Sequence, residues 1–294
     1  MDRAFYTAAL DNGVSIAYTD TRPDGNEKGV IVLIHGFPQT SYQFRKVIGP
    51  ISSAGYRVIT PDYRGAGSSH RTQTGFTKTA MAADIVGLLD HLGIKDPVHI
   101  VGHDIGGMIA YAFASRFASR TKSVVWGECP LPGTQAHEDT WKEHGVLHFH
   151  FWFHSVLDLP EALVSGREEI YLGHFYDKLS YNSSAISQED LDYYVKMYSR
   201  PGALRCGFNV YREFGRDSEE NRDWIAKNGK CKVRALGLNG GECQFSEVAE
   251  QMMEEVHEKG TFSVAKVPKS GHWIAEENPE EFVRAVLEFV GKES

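Results

Sequence analysis

The stretch from Pro97 to Gly107, Pro-Val-His-Ile-Val-Gly-His-Asp-Ile-Gly-Gly, leaves this chain few architectures. Val98, Ile100 and Val101 read as a short buried strand. Gly102, Asp104 and Gly106 form a Gly-x-Asp-x-Gly turn, and a helix follows from Gly106 to Phe117. A turn this tight forces its middle residue into a strained backbone conformation. Its neighbours must then lack a Cβ that would strike the adjoining strand and helix. The Asp104 carboxylate faces the start of the helix, where unpaired N–H groups and the positive end of the dipole favour its ionised form. An ionised carboxylate so placed is a nucleophile, and displacement at an sp³ carbon gives an alkyl ester. Taken alone, the stretch also fits a plain strand–helix turn with an N-capping Asp, so the rest of the chain has to decide.

The 294 residues are 41% hydrophobic and 24% charged, enough apolar material for one large core. Acidic residues outnumber basic ones, 39 to 31, giving a net charge of −8 that argues against nucleic acid or an anionic membrane as partner. Cys129, Cys206, Cys231 and Cys243 form no C-x-x-C pair and read as reduced thiols, with neither a disulfide scaffold nor a metal site implied. No basic–apolar leader follows the first residues, and no apolar run approaches membrane-spanning length. The expectation is a cytoplasmic protein, with the Asn182-Ser183-Ser184 sequon a chance match.

Residues 4–10 and 14–19 alternate about Asp11-Asn12-Gly13, a hairpin signal. Gly29 to Ile34 is a continuous apolar run, the pattern of a strand covered on both faces, and it ends in His35-Gly36-Phe37-Pro38. A helix over 42–53, a strand over 57–60, the loop Pro61 to Ser69, a helix over 77–92 and a strand over 121–126 follow. Residues 131–225 change character. Aromatic residues are dense, acidic helical stretches (161–169, 188–197) lie between them, and no run reads as a strand. Alternation resumes with strands over 232–238 and 261–267 and helices over 246–257 and 279–290. The last helix has Asn278 as its cap, Pro279 at its first position and Glu281 three residues after the cap. This predicts an α/β core of residues 1–130 and 226–294, a mostly parallel sheet with helices on both faces. A helical cap (lid) of residues 131–225, inserted after the sixth core strand, covers the strand ends where such sheets bind ligands.

Three side chains converge on those ends. Asp104 is the first. His272, in Ser270-Gly271-His272-Trp273, follows the last strand and can reach the Asp104 turn as a general base. An acid must orient it, either Glu128 after the strand that follows the Asp104 helix or Glu242 after the next strand. Glu128 is the preferred choice. The backbone N–H groups of Phe37 and Ile105 can converge on Asp104 as an oxyanion hole, and Pro38 makes that bend rigid and opens it to a cis peptide.

With these residues in hand, the chain resembles the α/β-hydrolase superfamily along nearly its whole length, with Asp104 at the nucleophile position of a Gly-x-Asp-x-Gly elbow. His35-Gly36-Phe37-Pro38, Gly102 to Gly107, Pro61 to Ser69 and Gly271-His272-Trp273 together are similar to the epoxide hydrolase and dehalogenase branch, in particular Cif-like epoxide hydrolases and fluoroacetate dehalogenases. The resemblance implies a cap His and Tyr that hydrogen-bond the leaving atom. His150, in His150-Phe151-Trp152-Phe153-His154, matches the His, with His148 as the alternative two residues earlier. Tyr211, before Arg212, matches the Tyr. It also places the acid at Glu128.

Departures from the dehalogenase pattern bear on substrate class. Where fluoroacetate dehalogenases carry arginines after the nucleophile, this chain has Ile105, Gly106, Gly107 and Met108. Phe151 stands in place of a halide-binding Trp. The chain therefore reads as a cofactor-independent epoxide hydrolase that forms an aspartyl ester. The alternative is a haloacid or haloalkane dehalogenase with the same Asp-His-Glu machinery, and a remote one is a non-catalytic small-ligand receptor. Phe37, Pro38, Ile105, Phe151, Phe153 and Trp273 are the expected substrate contacts. The substrate is a small apolar or aromatic epoxide with water, acted on by a monomer or homodimer.

Overall fold

A computed structural model describes residues 5–292 of the chain. Residue 4, where the expected hairpin begins, lies outside the described residues. Strands β1 (Tyr6–Ala9) and β2 (Ser15–Thr21) pair antiparallel. Then come β3 (Gly29–Ile34), α1 (Ile48–Ser53), β4 (Tyr56–Pro61), α2 (Lys78–His91), β5 (Val98–His103), α3 (Ile105–Arg116) and β6 (Thr121–Gly127). Seven helices follow: α4 (Gln135–Glu143), α5 (Phe149–Ser155), α6 (Leu159–Val164), α7 (Glu168–Lys178), α8 (Gln188–Tyr198), α9 (Ala203–Arg212) and α10 (Phe214–Asn228). The chain closes with β7 (Ala235–Gly240), α11 (Phe245–Val256), β8 (Phe262–Val267), α12 (Ile274–Glu277) and α13 (Pro279–Val290). No helix among the described residues is long and apolar enough to cross a membrane.

The eight strands form one sheet in the order β1-β2-β4-β3-β5-β6-β7-β8, parallel from β4 to β8. Alternate residues of its strands feed two cores. Val30, Val32, Ile34, Val98 and Ile100 pack on one face, and Ile31, Leu33 and Val101 on the other. This is why β3 and β5 carry apolar runs without polar alternation. The chain crosses from β4 on one side of β3 to β5 on the other. The ends of β3 and β5 therefore flank the point where the strand order reverses, the place for a ligand in an open α/β sheet. Phe37 follows β3 and Asp104 follows β5.

The sharp β5-to-α3 turn depends on two glycines. A Cβ on Gly102 would strike the Gly106 carbonyl, and one on Gly106 would strike the Ile34 carbonyl of β3. Asp104 between them has φ 54° and ψ −123°, a backbone state that L-residues avoid.

Three local expectations change. The helix expected over 42–53 is a 3₁₀ turn at Ser41–Phe44 and then α1. Pro50 has no N–H to give to a longer helix and is tolerated only in the first turn, which is where α1 places it. The acidic stretch 161–169 is divided between α6 and α7 because Gly166 has φ 78°. The strand expected from Lys232 starts at Ala235, and Cys231 makes only an isolated bridge with His257.

Candidate active site

Asp104 stands at the head of α3, but its carboxylate does not cap that helix. The N–H of Phe37 donates to its Oδ1 at 2.8 Å, reaching across from the turn after β3, where the Phe37–Pro38 peptide is cis. Burial pushes the Asp104 carboxyl above the usual carboxylate range. The His272 charge and the N–H groups of Ile105 and Phe37 oppose that rise, while the Glu128 charge adds to it. Part of the side chain, 15% of its surface, stays open to a cavity.

His272 faces it from the loop after β8. Its Nε2 lies 3.9 Å from Asp104 Oδ2, and its Nδ1 lies 2.9 Å from Glu128 Oε2. Glu128 follows β6 with φ 59°, a second strained residue at the same edge of the sheet. It is fully buried. Its N–H donates to Asn239 Oδ1 at 2.7 Å, and its Oε1 accepts the N–H of Gly240, so β7 fixes it from both ends. Burial alone would lower the His272 pKa. The Glu128 hydrogen bond and the Glu128 and Asp104 charges outweigh burial, and the net shift is upward. Glu242 lines the cavity with an exposed side chain, but the Nδ1 hydrogen bond goes to Glu128.

The same cavity, about 440 Å³, carries Tyr211 of α9 and His150 of α5. Their rings lie 5.6 Å apart, edge to face, and both residues are buried. Burial and the Asp104 charge hold the Tyr211 phenol well above its usual value, so it keeps its proton. Burial and the neighbouring histidines hold His150 well below its usual value, so it stays neutral. Among the described residues the His150 Nδ1 has no hydrogen-bond partner. His148 also lines the cavity, but its Nε2 is 2.8 Å from Gln244 Nε2 and so is already engaged.

Three of the six expected substrate contacts, Phe37, Phe151 and Trp273, line the cavity; the other three do not. The Pro38 carbonyl accepts from the Tyr176 hydroxyl at 2.9 Å, which turns that residue toward α7. The Ile105 side chain points into the core beneath α3, and only its backbone N–H faces Asp104. Phe153 sits on the flank of α5 against Phe149 and Tyr171, because the buried side of that short helix is taken by His150, Phe151 and His154. The sequence reading did not single out Phe175, Leu179 and Tyr181, from the end of α7 and the segment after it, or Cys243 and Phe245 after β7. The β7 end carried a usable signal, since Glu242, the alternative acid, stands there beside Cys243. The segment after α7 carried none.

Among the described residues, one group of metal-ligating side chains lies close together. Donor atoms of Glu128, Cys243 and His272 fall within 4.8 Å of one another. Glu128 and His272 already share a hydrogen bond, and burial with the Glu128 charge holds the Cys243 thiol well above its usual pKa. That chemistry suits a base with its orienting acid better than a cation, which needs a thiolate and a free ring nitrogen.

A family model described as the alpha/beta hydrolase fold matches residues 29–169. The soluble epoxide hydrolase of Corynebacterium sp. (strain C12) is 33% identical over 264 residues, covering 88% of this chain and 89% of its own. Among solved structures, epoxide hydrolase CorEH is 28% identical with a TM-score of 0.85 over 99% of both chains. The Cif epoxide hydrolase from Acinetobacter nosocomialis, 21% identical, shares the fold with a TM-score of 0.88 over 97% of this chain and 88% of its own. An eight-stranded sheet with this order, an acidic residue at the sharp turn after its central strand and this relative at one-third identity agree: the chain belongs to the α/β-hydrolase family, on the branch whose named members are epoxide hydrolases.

Proposed function

We propose that the chain opens an epoxide to a vicinal diol through an ester on Asp104. The observation that carries this reading is that two sets of groups line one cavity. One is a carboxylate, Asp104, backed by His272 and Glu128, and the other is a pair of neutral donors, Tyr211 and His150. An Asp104 oxygen attacks an epoxide carbon and the C–O bond breaks. The alkoxide oxygen takes the Tyr211 proton, with His150 as second donor. His272 then removes a proton from water, which attacks the ester carbonyl. The N–H groups of Phe37 and Ile105 hold the resulting oxyanion. The intermediate collapses, the leaving oxygen takes the proton from His272, and the proton released by the acid restores Tyr211. Residues 131–225 act as the lid on a core of 1–130 and 226–294. The cavity walls, Phe151, Phe175, Phe245 and Trp273, favour an apolar or aromatic substituent on the epoxide.

A panel of alkyl and aryl epoxides beside haloacetates and haloalkanes, scored for diol and for halide, tests the reaction class. Diol from the epoxides with no halide above the enzyme-free blank is expected. Halide release without diol would replace this reading with a dehalogenase.

A further inference from the structure

We propose that Glu277 is a positioning residue for His272, and that it ties the loop carrying the base to the segment roofing the cavity. The proposal rests on the reading of His272 as the hydrolytic base. Glu277, the last residue of α12, uses its one carboxylate to accept four backbone N–H groups. Its Oε1 accepts from Gly271 at 3.1 Å and Trp273 at 3.0 Å, the residues on either side of His272. Its Oε2 accepts from Tyr181 at 2.7 Å and Asn182 at 2.8 Å.

Both backbone groups of His272 are also committed. The His272 N–H donates to the Leu179 carbonyl at 2.8 Å, and the His103 Nε2 is 2.7 Å from the His272 carbonyl. The loop and the segment are so close that a Cβ on Gly271 would strike the Leu179 carbonyl. Leu179 to Asn182 links α7 to a 3₁₀ turn at Ser183–Ala185; the Leu179 N–H closes α7 on the Phe175 carbonyl at 3.0 Å, whereas the Tyr181 and Asn182 N–H groups go to Glu277 and not to a helix. Leu179, Ser180 and Tyr181 nevertheless line the cavity. Both arms thus end on one carboxylate, one arm on each oxygen. The contact sets where the imidazole sits relative to Asp104 and Glu128, because the N–H groups on both sides of His272 are held by the same oxygen, Oε1.

Glutamine cannot replace this. Its amide keeps one acceptor oxygen and turns N–H donors toward the other two N–H groups, so one arm loses its partner. Glu277→Gln is therefore expected to slow hydrolysis of the Asp104 ester by about ten- to a hundredfold and to leave ester formation within about twofold. The measurement is rapid mixing of the full chain with a limiting aryl epoxide, acid quench and intact mass. His272→Gln is run in parallel, and Glu277→Asp, which keeps the charge one methylene short, is expected to show a smaller slowing of the same step.

If Glu277→Gln fails to fold, the Asp variant carries the test with the same split between half-reactions. Equal slowing of both half-reactions, or of neither, while His272→Gln accumulates ester, would overturn the proposal and leave the base assignment standing. No ester in His272→Gln would bring down the base assignment and this inference with it.

Discussion

Asp104→Ala is expected to lower epoxide turnover by about 10⁴-fold or more without lowering the melting temperature. The loss is large because the carboxylate is the atom source of the intermediate. The oxyanion donors and the Tyr211–His150 pair have nothing to act on once the ester cannot form. The fold should survive because Asp104 contributes little to it. Its side chain takes only the N–H groups of Phe37 and Ile105 and does not cap α3. Burial pushes its pKa up, so keeping it ionised at neutral pH disfavours the folded state relative to the unfolded one. Removing the carboxyl removes that cost. Alanine inherits the positive φ that Asp104 already tolerates. Turnover and a thermal melt on the same preparation check both halves. Retained activity would take the nucleophile role from this residue.

His272→Gln is expected to separate the two halves of the reaction. Turnover should fall by about 10³-fold, with a covalent adduct of substrate mass on the peptide holding Asp104. In the proposed scheme the imidazole is not needed for ester formation, since Tyr211 and His150 would protonate the opening oxygen. It is needed to activate water, and Gln has no comparable basicity. Mass spectrometry after a single addition of epoxide reads the adduct directly. The pH dependence of the second step has a definite direction. The base works neutral; in the free enzyme Glu128 and Asp104 raise the His272 pKa, and in the ester the Asp104 charge is gone while the Glu128 hydrogen bond and charge still oppose burial. Hydrolysis of the ester should therefore rise with pH, through a midpoint below the His272 pKa of the free enzyme. The substituted enzyme should show no such limb. A His272→Gln enzyme that turns over normally, or that never holds substrate, would remove the base from the scheme.

What could be read in the sequence follows from how local each constraint is. The β5–α3 turn was legible because a five-residue pattern marks it. Gly102 and Gly106 are required where carbonyls of α3 and β3 crowd them, and Asp104 takes the strained place between. Helix α13 was legible to the residue because Asn278 and Pro279 mark its start, and the Asn278 side chain does accept the Glu281 N–H. The choice between Glu128 and Glu242 needed more than spacing. Both follow strands that end on the same edge. The hydrogen bond to Glu128 depends on its positive φ and on Asn239 and Gly240 of the adjacent strand, which no count along the chain reveals.

Side-chain direction at the cavity was the least accessible. Pro38 and Ile105 lie next to residues that line it and Phe153 two positions from one, yet each faces away, since near neighbours on a turn or helix diverge by large angles. The role of Glu277 was hidden for a related reason. Its partners are backbone N–H groups in two segments about 90 residues apart, and a backbone group has no sequence signature.

If Asp104 is the nucleophile, water attacks an enzyme ester and never the epoxide itself. A single turnover in heavy-oxygen water, with enzyme in excess over epoxide, reads which bond the water oxygen enters. The label is expected in the carboxyl group of Asp104, and the first diol formed should carry none. Label in the diol during that first turnover, with Asp104 unlabelled, would rule the ester out.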